Sequence, residues 1–174
     1  ASALILANVN NEKFTKLIKE WSEVNGIAFQ LLQTKSQQFE LKCAYQEFGQ
    51  LGIDRWLAML GASLRFPEQA CIVVDAGTAT TIDVISAQGR HLGGWILPGI
   101  DMLYQSLISN TQKIIANKET KSNVSLGKNT SDCVNNGAWA MTVGAIELQV
   151  NHMKKHSTAA EIIITGGNST KISM

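Results

Sequence analysis

A mixed α/β fold is what this 174-residue chain predicts, and three observations carry the prediction. Short apolar, β-branched runs are followed by segments of helical periodicity, a central stretch reads as consecutive strands joined by tight turns, and glycines punctuate the strand ends. A strand meander followed by helices distinguishes this pattern from a fully alternating parallel fold.

Taken in order, Ala3 to Val9 is an apolar run suited to a buried strand, and Asn10 or Asn11 can cap the helix after it. Phe14, Leu17, Ile18, Trp21 and Val24 recur at helical spacing until Asn25-Gly26 stops the pattern. Ile27 to Leu32 reads as a second strand and Gln33 to Gln38 as a polar loop. Tyr45 to Gly52 is turn-like and leads into a helix described by Trp56, Leu57, Met59, Leu60 and Leu64, with Pro67 just beyond its end. Cys71 to Asp75 is apolar, Thr80 to Ser86 alternates, and Ala87-Gln88-Gly89-Arg90 turns the chain into His91 to Leu97, so a three-strand meander is expected. Pro98-Gly99 ends it. Ile100 to Ile115 has helical periodicity, residues 116–128 read as an exposed loop, and a long helix runs from about Ser131 to Lys155. The strand Ile162 to Ile164 and the turn Thr165-Gly166-Gly167-Asn168 close the chain.

The length suits one domain or two small lobes sharing a core, and 45% hydrophobic residues can fill that core. A net charge of +1 without a basic block leaves no electrostatic footprint for nucleic acid, so none is expected as a partner. Cys43, Cys71 and Cys133 have neither a CxxC nor a Cys/His ligand spacing, which points away from a disulfide framework or a zinc site and fits a reducing cytoplasm. No run approaches the length of a membrane span, and Ala1 to Val9 lacks the charged start of a secretion signal. The expectation is a cytoplasmic protein with no membrane partner.

The chemistry concentrates in two acidic turns. In Gly52-Ile53-Asp54-Arg55 a carboxylate at a helix entrance can take a proton from a hydroxyl, and the neighbouring guanidinium can hold an anionic or hydroxyl group through its planar fork. The bland alternative is an Asp54 cap with Arg55 in solvent. In Asp75-Ala76-Gly77-Thr78-Ala79-Thr80-Thr81-Ile82-Asp83 a carboxylate ends an apolar strand beside clustered hydroxyls, an arrangement suited to cations and phosphates, although an ordinary hairpin would also use these threonines. Asp83 reads as a second acidic contact or a structural hydrogen-bond partner. Gly93-Gly94 and Pro98-Gly99 read as turn punctuation, and Gly166-Gly167 as either a plain turn or a place for a flat ring against the backbone. His91, His152 and His156 read as surface or packing residues, and no Walker loop, GxGxxG fingerprint or HExxH helix is present.

In combination, Tyr45, Leu51-Gly-Ile-Asp-Arg-Trp56, the Asp75 to Asp83 segment, Gly93-Gly-Trp-Ile-Leu-Pro-Gly99, Gly127-Lys-Asn-Thr130 and Thr165-Gly-Gly167 resemble the type III pantothenate kinases over nearly the whole chain. The resemblance implies ribonuclease-H-like lobes of the actin, Hsp70 and sugar-kinase (ASKHA) superfamily, with nucleotide between them. It implies transfer of the ATP γ-phosphoryl group to pantothenate, with magnesium on the nucleotide and a monovalent cation, potassium or ammonium. By position, Asp54 matches the proton acceptor, and Tyr45, Gly52, Ile53, Asp54, Arg55 and Thr130 match the pantothenate site. Asp75 matches the cation ligand, Thr78 an ATP contact, and Gly166 and Gly167 the turn near adenosine. The resemblance also implies a homodimer in which Thr130 serves the neighbouring chain.

The family's opening Asp-x-Gly-Asn-Thr phosphate loop does not precede Ala3, and the segment after Thr165-Gly-Gly stops at Met174. Residues 1–66 therefore read as the remainder of a first lobe and 67–174 as a truncated second lobe, with little activity expected of the fragment alone. The competing expectations are another ASKHA small-molecule kinase, an accessory transcriptional regulator of the same family, and a catalytically silent binding module.

Overall fold

The structure, a computed structural model, describes residues 3–9, 12–111, 113–118, 123–155 and 159–172. The caps expected at Asn10 or Asn11, and His156, lie outside the described residues.

Strands β1 (Ala3–Leu6) and β2 (Ala28–Leu31) pair in parallel with Ala3 opposite Ala28, and helix α1 (Glu12–Val24) crosses between them. A parallel pair needs such a crossover, which is why a strand, a helix and a second strand follow one another here. The loop expected at Gln33 to Gln38 is partly a small hairpin, β3 (Gln37–Gln38) with β4 (Leu41–Lys42). Strands of two residues are too short to show a period. What secures the hairpin is Leu41, which is fully buried against the next helix, α2 (Ile53–Arg65).

The central meander forms as expected, with β5 (Ala70–Ala76), β6 (Ala79–Ile85) and β7 (His91–Pro98) antiparallel. Its register sets Asp75 opposite Thr81 and Asp83 opposite Gly94. Strand β8 (Ala160–Thr165) adds in parallel to the free side of β5, giving the order β7-β6-β5-β8. Successive side chains leave a strand on opposite faces. Cys71, Val73 and Ile85 thus meet Trp56, Met59 and Leu60 of α2 on one side of the sheet. Ile72, Val74, Ile82 and Val84 meet Ile146 and Met153 of α4 (Thr130–Lys155) on the other. Covered on both faces, β5 reads as a continuous apolar run rather than an alternating one. The segment before residue 66 and the sheet after it therefore share one core.

Helix α3 (Ile100–Asn110) packs on α4 through Ile100, Ala138 and Trp139. It stops short of the expected Ile115, because Asn110 Nδ2 and Thr111 Oγ1 donate back to the carbonyls of Ser106 and Leu107, and Thr111 turns extended. Such side-chain bonds compete with helix propagation. A single helical turn, α5 (Ser169–Ile172), follows β8. No helix among the described residues is long and apolar enough to cross a membrane.

Candidate active site

Three turns meet at one end of the main sheet. Gly99 N–H donates to the Thr78 carbonyl at 3.0 Å, and Asn168 N–H donates to the Ala76 carbonyl at 2.9 Å. The β5–β6 turn, the entrance of α3 and the turn after β8 are thereby joined by backbone hydrogen bonds. Asp75, Thr78, Gly166 and Gly167 all sit on this rim. Pro98-Gly99 does more than punctuate, since a Cβ at Gly99 would lie 2.6 Å from the Gly77 carbonyl oxygen. Gly166 has φ +88°, and a Cβ there would strike the Asp75 carboxylate and lie 2.6 Å from the Ala76 carbonyl oxygen. Gly166→Ala is expected to destabilise the fold by about 1–3 kcal/mol in urea titration, because both the backbone and the contact are strained.

The N-terminus of α2 lies within electrostatic reach of this rim, since the charge of Asp54 acts on Asp75. Gly52 is its N-cap and gives no side-chain cap, while Asp54 Oδ1 accepts the Arg55 backbone N–H at 2.8 Å. A Cβ on Gly52 would lie 2.5 Å from that oxygen, so glycine makes room for the carboxylate. Asp54 thus does hold a helix amide, as the capping alternative supposes, but with one oxygen only. No hydrogen bond to its other oxygen is found among the described residues. Ile53 points into the core at 7% exposure, leaving its backbone to the site. Burial pushes the Asp75 carboxyl above its ordinary range, and the negative charge of Asp54 pushes it further. Two carboxylates far apart in sequence therefore sense each other.

Arg55 is not in solvent. It is 5% exposed, donating from Nε to Asp83 Oδ2 at 2.8 Å and from Nη2 to Asp83 Oδ1 at 2.6 Å. Its Nη1 donates to the Tyr45 hydroxyl at 3.2 Å. The fork expected to grip a substrate faces inward on Asp83, and its remaining Nη1 is taken by the Tyr45 hydroxyl. Burial opposes the charged form of Arg55, yet the bonds to Asp83 and Tyr45 hold its pKa above the ordinary value. For Asp83 burial would raise the pKa, but hydrogen bonds from His91 and Arg55 outweigh it and hold the carboxyl below the usual range.

Two further residues, His91 and Gly94, belong to this network. His91 takes the packing alternative: it is buried, with Nε2 3.0 Å from Asp83 Oδ1. Gly94 is opposite Asp83, and any Cβ there would strike Asp83 Oδ1 and lie 2.8 Å from Arg55 Nη2. Its glycine makes room for an ion pair on the neighbouring strand. Thr130 stands apart: it opens α4 in an exposed position, and no hydrogen bond among the described residues joins it to Asp54 or Asp75. The start of that helix is capped by Asn129, whose Oδ1 accepts the Asp132 N–H at 2.9 Å. A cleft of about 930 Å³ opens between α1, the end of β2 and residues 48–53, reaching Gly52, with Asn8 and Gln33 on its wall.

An α/β scaffold with an acidic helix entrance in electrostatic range of an acidic strand end, beside a turn rich in hydroxyl and backbone groups, offers the positioning and charge stabilisation that phosphoryl transfer requires. The chain belongs to the type III pantothenate kinase family, whose sequence profile matches residues 1–152. It is 40% identical to the type III pantothenate kinase of Colwellia psychrerythraea strain 34H, across 97% of this chain and 68% of that protein. Identity to the type III pantothenate kinase of Pseudoalteromonas translucida strain TAC 125 is 43%, across 94% of this chain and 69% of that protein. A crystal structure of a conserved Campylobacter jejuni protein, assigned as a Baf family transcriptional activator, is similar with a TM-score of 0.61 and 25% identity, covering 99% of this chain and 71% of that one.

Proposed function

We propose that this chain carries the acceptor site and part of the nucleotide site of an enzyme that phosphorylates pantothenate from ATP, giving 4'-phosphopantothenate at the first step of coenzyme A synthesis. The observation that carries the reading is the rim where backbone bonds from Gly99 to Thr78 and from Asn168 to Ala76 gather Asp75, Thr78 and the Gly166-Gly167 turn, with Asp75 close enough to Asp54 for its charge to act there. The acceptor's primary hydroxyl oxygen attacks the γ-phosphorus, the bond from that phosphorus to the β–γ bridging oxygen breaks, and ADP leaves. The hydroxyl proton passes to Asp54, at the oxygen left over when Oδ1 is held by the helix amide. An ordinary carboxylate suffices, because in a loose transition state positioning outweighs base strength. Gly52 and Ile53 offer backbone to the acceptor, and Tyr45 with the Nη1 edge of Arg55 offers polar contact.

Thr78 contacts the phosphates, and the Gly166-Gly167 turn lies along the adenosine. Magnesium is assigned to the ATP phosphates, the site that the family resemblance implies and where this ion keeps most of its water ligands. Asp75 fits a monovalent cation: it is a partly buried carboxylate with a raised pKa and a neighbouring hydroxyl. Bound there, potassium or ammonium supplies positive charge beside the phosphates. We assign residues 1–66 and 67–174 to two ribonuclease-H-like lobes, and place Thr130 at the acceptor pocket of a second subunit in a cytoplasmic homodimer.

The test is ADP release by the intact protein with magnesium-ATP and potassium. Release that does not depend on pantothenate removes the assignment. The cation has its own test. An acid whose pKa is raised in the folded state favours folding below its unfolded pKa, and that benefit is lost as pH rises through the folded value. Ionised Asp75 therefore burdens the fold at neutral pH until a cation joins it. Potassium is expected to raise Tm in the wild type. Asp75→Asn should raise Tm in potassium-free buffer and abolish the potassium shift, and an unchanged shift in that variant would place the ion elsewhere.

A further inference from the structure

Tyr45 lies in a segment with little of its own to hold it. Residues 46–50 are exposed, and Tyr45 itself is half-buried. Two side chains reach this segment, one from α2 and one from β7. Arg55 Nη1 donates to the Tyr45 hydroxyl, and the His91 ring stacks on the Tyr45 ring with centroids 6.1 Å apart and planes 16° from parallel. The same imidazole makes two hydrogen bonds in opposite senses. The Ala44 backbone N–H donates to Nδ1 at 3.4 Å, and Nε2 lies 3.0 Å from Asp83 Oδ1. Because a backbone amide can only donate, Nδ1 must present its lone pair, which puts the ring proton on Nε2, directed at the carboxylate.

Asp83, Arg55, Tyr45 and His91 thus close a ring drawn from four separate segments. We propose that His91 is a positioning residue for the acceptor half of the site. It uses the Asp83 carboxylate as its anchor and the Ala44 amide as its grip, fixing the Tyr45 segment beside the Nη1 edge of Arg55. In this arrangement Asp83 orients both Arg55 and His91. The inference rests on the proposed function, because it takes the Tyr45–Arg55 edge as the place where a polar hydroxylated acceptor docks. It separates acceptor affinity from phosphoryl transfer, since Asp54 is held by the Arg55 backbone amide in α2, whereas the ring uses only the Arg55 side chain.

The test uses His91→Ala, His91→Asn and His91→Gln in the intact protein. Asn can accept the Ala44 N–H at the Nδ1 position, whereas Gln can donate to Asp83 from the Nε2 position. Removing one partner of a buried hydrogen-bond pair is expected to raise the pantothenate KM about tenfold in His91→Ala, with kcat and the ATP KM within about twofold of wild type. Asn should restore more of the pantothenate KM than Gln. A substrate-free readout accompanies the kinetics: amide exchange at Ala44 should accelerate in His91→Ala and return toward wild type in His91→Asn, and ¹⁵N spectra of the wild type should show the proton on Nε2.

Equal losses in pantothenate and ATP KM, a fall in kcat alone, or unaltered Ala44 exchange would each overturn the inference. A wild-type protein that shows the Nε2–H signal and the Ala44 response but no pantothenate turnover would instead overturn the proposed function, leaving the positioning of the segment supported.

Discussion

Asp54→Asn in the intact protein is expected to lower kcat by about 10²- to 10⁴-fold, the range general-base catalysis supplies, while the pantothenate KM changes by less than about threefold. The geometry explains the split. The substituted amide side chain would retain an oxygen to accept the Arg55 N–H, now made at 2.8 Å, so the start of α2 and the packing around Gly52 persist. What disappears is the carboxylate that receives the proton. The substitution also removes one of the two causes that raise the Asp75 pKa, so that carboxyl should fall toward its ordinary range and remain more readily ionised beside a cation. Steady-state kinetics with pantothenate and ATP varied separately, together with direct titration of pantothenate binding, measure both effects. Unchanged turnover would remove Asp54 from the proton-acceptor role, and lost binding would make it a recognition residue instead.

Asp83→Ala should have the largest effect on stability, about 3–5 kcal/mol, as expected when one partner of a buried ion pair is removed and the other charge is stranded. Asp83 is 1% exposed and accepts two hydrogen bonds from an Arg55 that is itself 5% exposed. Truncating it also leaves His91 Nε2 without its partner. The pH dependence has a definite sign. The folded-state pKa of Asp83 is depressed, so its contribution is fully present above the unfolded value of about 4 and is lost as pH falls through the lower folded value. Wild-type stability should therefore drop below about pH 4, and the Asp83→Ala curve should be flatter in that window. Urea titrations of both proteins at neutral and acidic pH decide it. A loss below about 1 kcal/mol at neutral pH would mean that the pair is open to water rather than buried.

Much of the architecture was legible because it depends on local pattern. Thr80 to Ser86 alternates because β6 has two differently covered faces, and the Phe14 to Val24 spacing marks α1 because one turn of helix returns a side chain to the same side. The β3–β4 hairpin was missed for want of a period, and α3 was overextended because the Asn110 and Thr111 side-chain bonds that stop it leave no periodic trace. Asp54 and Asp75 could be named as candidates from the sequence because a carboxylate beside glycine at the edge of an apolar run demands a partner. His91 could not, since a lone histidine at a strand start carries no spacing signal.

Residue order alone determined the mixed α/β class, the central meander, the two acidic turns and the family resemblance, all of which rest on neighbours along the chain. Only the tertiary structure decided that Arg55 turns inward to Asp83 and that Gly94 makes room for that pair. It also decided that His91 joins the Tyr45 segment to the sheet. These facts depend on strand register and on the packing of α2 against β5 and β6. A buried charge takes whichever partner the fold brings within hydrogen-bond reach, and that distance is set across the sheet rather than along the sequence.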